Sequence, residues 1–229
     1  MSAYLDNLEK FRQSYQKLNF QASVESTSMG LMAPVLCRVM NAKTAIEIGA
    51  AYGWITQCLC AGIEAVAGKD GVLISVDLEP SRHEELKKLT ASFDIQSNVI
   101  CGDSTQVDWA KELKAFDRTE IDIASIDGNH LGDVPLIDLR NVLDLMSPTG
   151  VILMHDYGHM YDDVVTAVNT ILGEEEWRLF QLPQNKTTNE TGCCILQRDQ
   201  FLDVAPGSDD RPVHITEYEE TISTKTLDS

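Results

Sequence analysis

Several features that are typical of other protein classes are missing from this 229-residue sequence. No apolar run is long enough to span a membrane. The six cysteines include no C-x-x-C pair, so neither a zinc ribbon nor a dithiol redox motif is indicated. The first ten residues lack a positively charged start followed by an apolar core, so we expect no secretion signal. We therefore predict a cytoplasmic protein in which several of the cysteines, those in apolar stretches, are buried, reduced thiols.

Positive charge is also scarce. The chain has 18 Lys and Arg residues against 36 Asp and Glu residues, which gives a formal net charge of −18. Nucleic acids and anionic membranes both bind a basic face, so we expect neither as a partner. The length suits one α/β domain with a substantial core and some additional segments.

The stretch from Thr44 to Gly53 is the most informative part of the sequence. It predicts a short apolar strand that carries the acid Glu47, followed by a turn at Gly49, where a Cβ would clash. A helix is then expected to begin near Trp54, and Gly53 is expected to leave room for this helix to pack close to the strand. Its apolar residues recur at helical spacing and predict one apolar face: Ile55, Leu59, Ile63 and Val66.

The spacing of this glycine loop differs from that of a dinucleotide-binding loop. The fingerprint G-x-G-x-x-G is absent, because the loop reads Glu47-x-Gly49-x-x-x-Gly53 with alanine in place of the middle glycine. The backbone therefore approaches a diphosphate less closely, and the acid repels phosphate. This favours a cationic ligand such as an ammonium or sulfonium centre. A glycine loop after a strand is also a common structural device, so the loop alone does not decide between these readings.

Four further strands are predicted over residues 72–76, 98–101, 121–126 and 151–154, and each ends at polar or acidic residues. Before the last of them, we expect a helix that includes Met146 and a turn at Pro148-Thr149-Gly150. The five strand ends carry Glu47, Asp77, Asp103, Asp127 and the pair His155-Asp156. The helical crossovers between these strands require a parallel sheet, which places the five ends along the edge where ligands bind.

Two of these acids have alternative interpretations. Asp77 could accept hydrogen bonds from ribose hydroxyls, or it could cap the helix predicted over residues 80–92. Asp103, with Ser104, could contact an adenine amino group, or it could cap the helix that follows.

The complete pattern predicts an α/β fold. Segments Trp177–Leu182 and Cys193–Leu196 are predicted to close the sheet as an antiparallel pair. We expect a Rossmann-like, doubly wound, seven-stranded sheet, mostly parallel with one antiparallel strand. Residues 1–40 are predicted as an N-terminal helical cover, with helices over 3–20 and 31–40. Residues 41–197 form the predicted main domain, and residues 198–229 an acidic arm or tail.

This series of strand ends resembles the class I S-adenosylmethionine-dependent methyltransferases over roughly residues 26–197. The stretch from Glu47 to Gly53 is similar to the superfamily's cofactor loop. Two further segments, Ile126-Asp127-Gly128-Asn129-His130 and Ile152-Leu153-Met154-His155-Asp156, resemble small-molecule O-methyltransferases of the macrocin and catechol O-methyltransferase type. The Met29-Gly30 break before the second helix is also similar to that group.

The resemblance implies how S-adenosylmethionine would be held. The glycine loop with its acid would bind the methionine part, Asp77 the ribose, and the residues after the third strand the adenine. The implied cofactor residues are Glu47, Gly49, Ala50, Tyr52, Gly53, Asp77, Gly102, Asp103, Ser104 and Asp127.

The resemblance also implies a metal site and a general base. Metal-dependent relatives hold a divalent cation with acids that correspond to Asp127 and Asp156. Here His155 stands beside Asp156, and a nitrogen ligand would favour manganese, iron or zinc over magnesium. Alternatively, His155 makes a structural hydrogen bond beneath the site. His130 matches the general base of macrocin-like members, although a histidine at a helix start could also have no catalytic duty, and His159 is a second candidate.

The sequence therefore predicts an S-adenosylmethionine-dependent O-methyltransferase. Its substrate would be a small hydroxylated molecule, with His130 and Asp127 as catalytic residues and with magnesium or another divalent metal as a possible cofactor. We expect a homodimer. Two alternatives are an S-adenosylmethionine-dependent enzyme that cyclises or eliminates, and a protein that binds the cofactor without catalysis.

Overall fold

The computed structural model describes residues 13, 27–158, 161–174, 177–182 and 192–198. The strands are β1 Thr44–Ile48, β2 Val72–Asp77, β3 Gln96–Cys101, β4 Ile121–Ile126, β5 Met146–His155, β6 Trp177–Leu182 and β7 Cys193–Arg198. The α-helices are α1 Thr27–Met40, α2 Trp54–Ala67, α3 Pro80–Thr90, α4 Trp109–Lys114, α5 Val134–Leu143 and α6 Asp162–Glu174. Short 3₁₀ turns lie at Gly68–Asp70 and Ser104–Gln106.

The seven strands form one sheet in the order β3-β2-β1-β4-β5-β7-β6. Strands β1 to β5 are parallel, and β7 is antiparallel to both β5 and β6. The predicted fold class is therefore confirmed, including its single antiparallel strand. The strand order reverses between β1 and β4, and ligands of such sheets bind beyond the strand ends at this point.

Helices cover both faces of the sheet. On one face, α4, α5 and α6 pack onto the strands through buried side chains that include Leu113, Leu139 and Val168. On the other face, α1 and α2 contribute buried side chains that include Cys37, Leu59 and Ile63. The central strands are buried on both sides, which explains why they are nearly continuous apolar runs.

The first described helix corrects two predictions. Met29 and Gly30 lie inside α1, which begins at Thr27, and they do not form a break. A Cβ on Gly30 would lie 2.2 Å from Trp54 Nε1, so this glycine allows α1 to approach α2 closely. Because α1 covers α2, the side chains of α2 are buried on most sides and not on one face only.

A third correction concerns the start of β5. Met146 was expected in the preceding helix and Pro148 to Gly150 in a turn, but α5 ends at Leu143 and Met146 begins the strand. Met146 pairs with Ile121, and the register shifts before Ile123 pairs with Val151. The irregularity allows a Pro-Thr-Gly segment to lie inside an extended strand.

Other predictions fall only partly within the described residues. All six cysteines are free thiols and five are buried, whereas Cys101 is exposed. The helix predicted over residues 3–20 lies outside the described residues except for Gln13, as do His159 and residues 199–229, so the division into three segments stays a prediction. Among the described helices, none combines the length and the apolarity needed to cross a membrane.

The contact between α1 and α2 yields a stability prediction. A Cβ on Gly62 would lie 2.8 Å from both Pro34 Cα and Cys37 Cβ, so Gly62→Ala must push the two helices apart. We expect the free energy of unfolding to fall by about 1–3 kcal/mol in urea titrations, the usual effect of overpacking.

Gly173→Ala is the matched control, because nothing lies within 4 Å of its Cβ position on α6. It should leave stability unchanged or raise it by up to about 1 kcal/mol through helix propensity. Equal unfolding midpoints for the Gly62 variant and the wild type would contradict the close contact.

Candidate functional site

The loop after β1 is held in a conformation that requires glycine. Gly49 has a φ of 84°, and a Cβ at this position would lie 2.0 Å from the carbonyl oxygen of Asp127. Its N–H donates to Val76 O at 2.9 Å. The loop therefore lies directly against the ends of both β2 and β4, where no larger residue fits.

The alanine in place of the middle glycine also adopts a left-handed conformation. Ala51 has a φ of 46°, and its N–H donates to Asp77 Oδ2 at 2.7 Å. This hydrogen bond to a carboxylate offsets the backbone strain at a residue that carries a Cβ. Asp77 thus shapes the glycine loop.

Asp77 does not cap the following helix. Its Oδ1 accepts from Glu79 N at 2.8 Å, while Glu79 itself caps α3 by accepting from Ser81 N. Arg82 Nη1 lies 3.8 Å from Asp77 Oδ2. The Asp77 carboxylate is largely buried at the wall of a cavity, which fits the binding interpretation better than the capping one.

Glu47 lies beneath the loop and is completely buried. Its carboxylate accepts from Ser75 Oγ at 2.5 Å and from Thr56 Oγ1 at 2.8 Å. Burial raises the pKa of Glu47 to about 7, although the two hydroxyls lower it. The side chain ties β1 to β2 and to the first turn of α2, and its predicted contact with a ligand stays a prediction.

Gly53 and Tyr52 end the loop. Gly53 has a φ of 83°, and a Cβ there would lie 2.5 Å from Leu89 Cδ2. Gly53 therefore makes room for α3, and not for β1 as the sequence suggested. Tyr52 is 71% exposed, with Arg82 stacked on its ring at 4.7 Å.

A cavity of about 430 Å³ lies beyond the ends of β1, β2, β3 and β4. Six of the predicted cofactor residues line it: Gly49, Asp77, Gly102, Asp103, Ser104 and Asp127. Its apolar walls include Leu78 and Ile137. A cavity with apolar walls and a few convergent polar groups is the usual form of a small-molecule site.

Asp103 lines this cavity and also caps the next turn. Its Oδ1 accepts from Thr105 N at 3.0 Å and from Thr105 Oγ1 at 2.8 Å. The capping interpretation of Asp103 therefore applies to one carboxylate oxygen. The neighbouring Ser104 lies at the same wall of the cavity.

A cluster of two acids and two histidines follows β4 and β5. His155 Nδ1 lies 2.9 Å from Asp127 Oδ1 and 3.5 Å from Asp156 Oδ2. His130 Nε2 lies 3.1 Å from Asp156 Oδ2 and 3.3 Å from Asp127 Oδ1. The sequence predicted all four residues for this site, and the fold brings them together.

The acids of the cluster control the protonation of His155. Burial alone would lower the pKa of His155, but its contacts with Asp127 and Asp156 raise it to about 10. Asp156 has a φ of 56°, an uncommon conformation for a residue other than glycine. Such strain persists where the surroundings hold a side chain in place.

The cluster has the composition of a cation site. One donor atom from each of the four residues lies within 4.8 Å of the others. Two carboxylate oxygens and two imidazole nitrogens form a donor set that suits manganese, iron or zinc better than magnesium. The negative charge of the two acids in the cluster can be balanced either by a proton on His155 or by such a cation.

The cluster lines a second cavity of about 340 Å³. This cavity shares Gly49, Ala51, Arg82 and Asp127 with the larger one. A group bound in the larger cavity can therefore lie next to a group bound at the cluster.

Several residues at the two cavities were not predicted from the sequence. His130 stacks on Tyr161, with ring centroids 4.7 Å apart. Arg82 lines both cavities, and Leu78 lines the larger one. Leu78 could have been inferred from its place after Asp77, but neither Arg82 nor Tyr161 has a motif that marks it.

Comparison with solved structures supports the fold. An O-methyltransferase from Bacillus cereus in complex with SAH is 15% identical, with a TM-score of 0.63 over 85% of this chain and 90% of that chain. The O-methyltransferase TomG from Streptomyces achromogenes, which is involved in tomaymycin synthesis and was solved with SAM, is 19% identical. Its TM-score is 0.58, and the match covers 84% of this chain and 89% of that chain. An rRNA methylase from Streptococcus thermophilus is 15% identical, with a TM-score of 0.56 over 74% of this chain and 95% of that chain. No curated protein sequence matches the chain.

The sequence itself matches a known family. Residues 46–157 match the family described as a methyltransferase domain, and this segment contains the glycine loop, Asp77 and the cluster after β4 and β5. Residues 46–157 are thus similar to a methyltransferase domain, and the fold is that of the S-adenosylhomocysteine- and S-adenosylmethionine-bound O-methyltransferases described above.

Proposed function

We propose that this protein transfers a methyl group from S-adenosylmethionine to a hydroxyl group of a small molecule. The observation that carries the proposal is the contact between the two cavities. A methyl donor in the larger cavity would face an acceptor held at the Asp127–His130–His155–Asp156 cluster. Such placement supplies the proximity and alignment that a displacement at carbon requires.

The larger cavity offers complementary groups for each part of the cofactor. Asp77 would accept hydrogen bonds from the ribose hydroxyls. The adenine would lie against Leu78 and Ile137, with Asp103 and Ser104 at its edge. The methionine part would follow the loop from Gly49, and the sulfonium centre would then lie near the cavity wall shared with the cluster.

His130 is the proposed general base. The acceptor hydroxyl loses its proton to the His130 imidazole as its oxygen attacks the methyl carbon. The carbon–sulfur bond breaks, its electron pair stays on sulfur, and S-adenosylhomocysteine is released. Tyr161 holds the plane of His130 by stacking, which fixes the direction of its ring nitrogens.

A divalent metal fits the same cluster. Asp127, His155 and Asp156 would hold it, because their donor atoms converge and two of them are carboxylate oxygens. A bound cation would lower the pKa of the acceptor hydroxyl and fix its orientation. His130 Nε2 approaches the same carboxylates, so its role as a base or as a fourth ligand must be tested separately.

The chemical class of the acceptor is inferred from the volume of the second cavity, the net charge of the chain and the similar solved structures. The second cavity, of about 340 Å³, suits a small molecule, and the net charge of −18 opposes nucleic acid. Two of the similar structures are O-methyltransferases by their descriptions, although an rRNA methylase shares the fold. The cytoplasmic location and the homodimer remain proposals, and light scattering after size-exclusion chromatography tests the latter.

Cofactor binding gives the first functional prediction. Titration calorimetry should show S-adenosylhomocysteine binding to the wild type. In Asp77→Asn the affinity should fall about tenfold or more, because hydrogen bonds to an ionised acceptor are replaced by weaker ones. Asp94→Asn, an exposed acid outside both cavities, should bind as the wild type does. Full affinity in Asp77→Asn would exclude the ribose role.

The base is tested with a panel of phenols and catechols as acceptors. A mass gain of one methyl group on the product establishes methyl transfer, whereas cyclisation or elimination gives none. His130→Ala should lower kcat by about 100-fold or more and keep cofactor affinity. His83→Gln is the matched control. His83 lies on α3, and its Nε2 is 2.7 Å from the carbonyl oxygen of Val99. An unchanged rate in His130→Ala would show that His130 is not the general base.

Metal binding separates the two roles of His130. Calorimetry with Mn²⁺ should show binding to the wild type and its loss in Asp127→Asn and Asp156→Asn, with Asp94→Asn as control. Mn²⁺ affinity should persist in His130→Ala if His130 is the base, and should fall if His130 is a ligand. Methyl transfer that survives exhaustive EDTA treatment at the wild-type rate would exclude a required metal.

A further inference from the structure

Arg82 differs in charge from the other residues around the two cavities. Within the described part of the chain, it is the only lysine or arginine that lines either of them. The other charged or titratable side chains there, apart from Tyr52 and Tyr161, are acids and histidines: Asp77, Glu79, Asp103, Asp127, Asp156, His130 and His155. A guanidinium matches the planar geometry of a carboxylate, so Arg82 is the group that would hold a negatively charged part of a ligand here.

Two contacts fix the position of the Arg82 guanidinium. It stacks on the Tyr52 ring, 4.7 Å from the ring centroid, and its Nη1 lies 3.8 Å from Asp77 Oδ2. The second distance is too long for a hydrogen bond, and a partly exposed ion pair of this kind contributes little to stability. Among the described residues, none accepts a hydrogen bond from the guanidinium. Arg82 is therefore held at the cavity wall while its five N–H donors are not used by the described protein groups.

The carboxylate of the cofactor has a different partner in the proposed binding mode. The methionine part would follow the glycine loop, which runs directly into α2. The N-cap of α2 is Gly53, which has no side chain to cap the helix. An uncapped helix N-terminus attracts a carboxylate through its dipole and its backbone N–H groups. The Arg82 guanidinium is then left for a negative group on the acceptor.

The second cavity has walls that suit an aromatic acceptor. Tyr52, Trp54 and Tyr161 line it together with Ile55. Aromatic side chains pack well against a flat ring, either stacked or edge to face. Because Arg82 and the acid cluster line this same cavity, one molecule can contact the apolar walls, the cluster and the guanidinium together.

The strand order sets the distance between the guanidinium and the cluster. Asp77, which lies beside Arg82, ends β2, whereas Asp127 and Asp156 follow β4 and β5. Strand β1 lies between β2 and β4, and neighbouring strands are about 4.8 Å apart, so the separation is about 10–14 Å. A bare catechol is shorter than this span. A side chain of two or three carbons on the ring would extend a carboxylate across most of it.

We propose that Arg82 is a specificity-determining residue that binds a carboxylate of the methyl acceptor, while the acceptor hydroxyl lies at the Asp127–His130–His155–Asp156 cluster. The substrate class is therefore hydroxylated aromatic acids. The inference rests on the proposed function, which places the acceptor in the second cavity. Arg82 takes no part in the bond changes, because it holds the end of the molecule that is remote from the methyl group.

The experiment compares catechol acids with their neutral carboxamides as methyl acceptors. The acids are protocatechuate, dihydroxyphenylacetate and caffeate, whose side chains increase in length. In the wild type, kcat/KM for caffeate should exceed that for its amide by about tenfold or more, the effect of a hydrogen bond between charged groups. The preference should increase from protocatechuate to caffeate, because the longer side chain brings the carboxylate to Arg82.

Substitutions at Arg82 separate recognition from a structural role. Arg82→Gln should bring the ratio of acid to amide close to unity by raising KM for the acid. Its kcat should change little, since a contact far from the reacting carbon is equal in the ground state and the transition state. Arg82→Lys keeps the charge but loses the bidentate geometry, so it should keep part of the preference. Lys88→Gln, at an exposed lysine of α3 outside both cavities, should behave as the wild type does.

A binding experiment distinguishes the carboxylate of the acceptor from that of the cofactor. Calorimetry compares S-adenosylhomocysteine with decarboxylated S-adenosylhomocysteine, which lacks only the carboxylate. The ratio of the two dissociation constants should be the same in the wild type and in Arg82→Gln. A preference that disappears in Arg82→Gln would show that the guanidinium binds the cofactor, and it would overturn the inference.

Three results with the acceptors would also overturn the inference. They are an unchanged ratio of acid to amide in Arg82→Gln, an equal loss for acids and amides in that variant, and a wild type that binds S-adenosylhomocysteine but prefers none of the acids over its amide. These results leave the proposed function intact. A wild type that does not bind S-adenosylhomocysteine would instead overturn the proposed function, and this inference with it.

Discussion

The contact between Gly49 and the backbone of Asp127 is the constraint on which the site depends. The two residues end adjacent strands, and the absence of a Cβ on Gly49 lets the Asp127 carbonyl approach it. The same point joins the two cavities, because both residues line both of them. A larger residue at position 49 would separate the glycine loop from the acid cluster, and the proposed reaction requires the two to be adjacent.

Charge is distributed unevenly between the two sides of this contact. Below the glycine loop, Glu47 is neutralised in part by burial and is held by two hydroxyls. At the cluster, two carboxylates face two imidazoles, and the acids raise the pKa of buried His155. The negative charge beneath the loop is therefore reduced, while the cluster side attracts a cation or a proton.

Local patterns were most reliable where a strand runs into a polar residue. Strand β4 was predicted with correct bounds, and the parallel direction of β1 to β5 followed from the crossovers. The errors occurred at residues whose role is set by packing against a part of the chain that is distant in sequence. Gly30 was interpreted as a break, but it makes room for Trp54, and Gly53 makes room for α3 instead of β1. Met146 has the spacing of a helix but pairs with Ile121 in the sheet.

The sequence by itself determined the fold class and which acids would meet at one edge, because parallel strands joined by helices must place their carboxyl ends together. It also located His130, Asp127, His155 and Asp156 as one group. Only the tertiary structure decided that Asp77 holds Ala51 and that Glu47 lies beneath the loop, where it accepts from Ser75. Those hydrogen bonds join residues 26 and 28 positions apart, and their geometry depends on packing that no local pattern encodes.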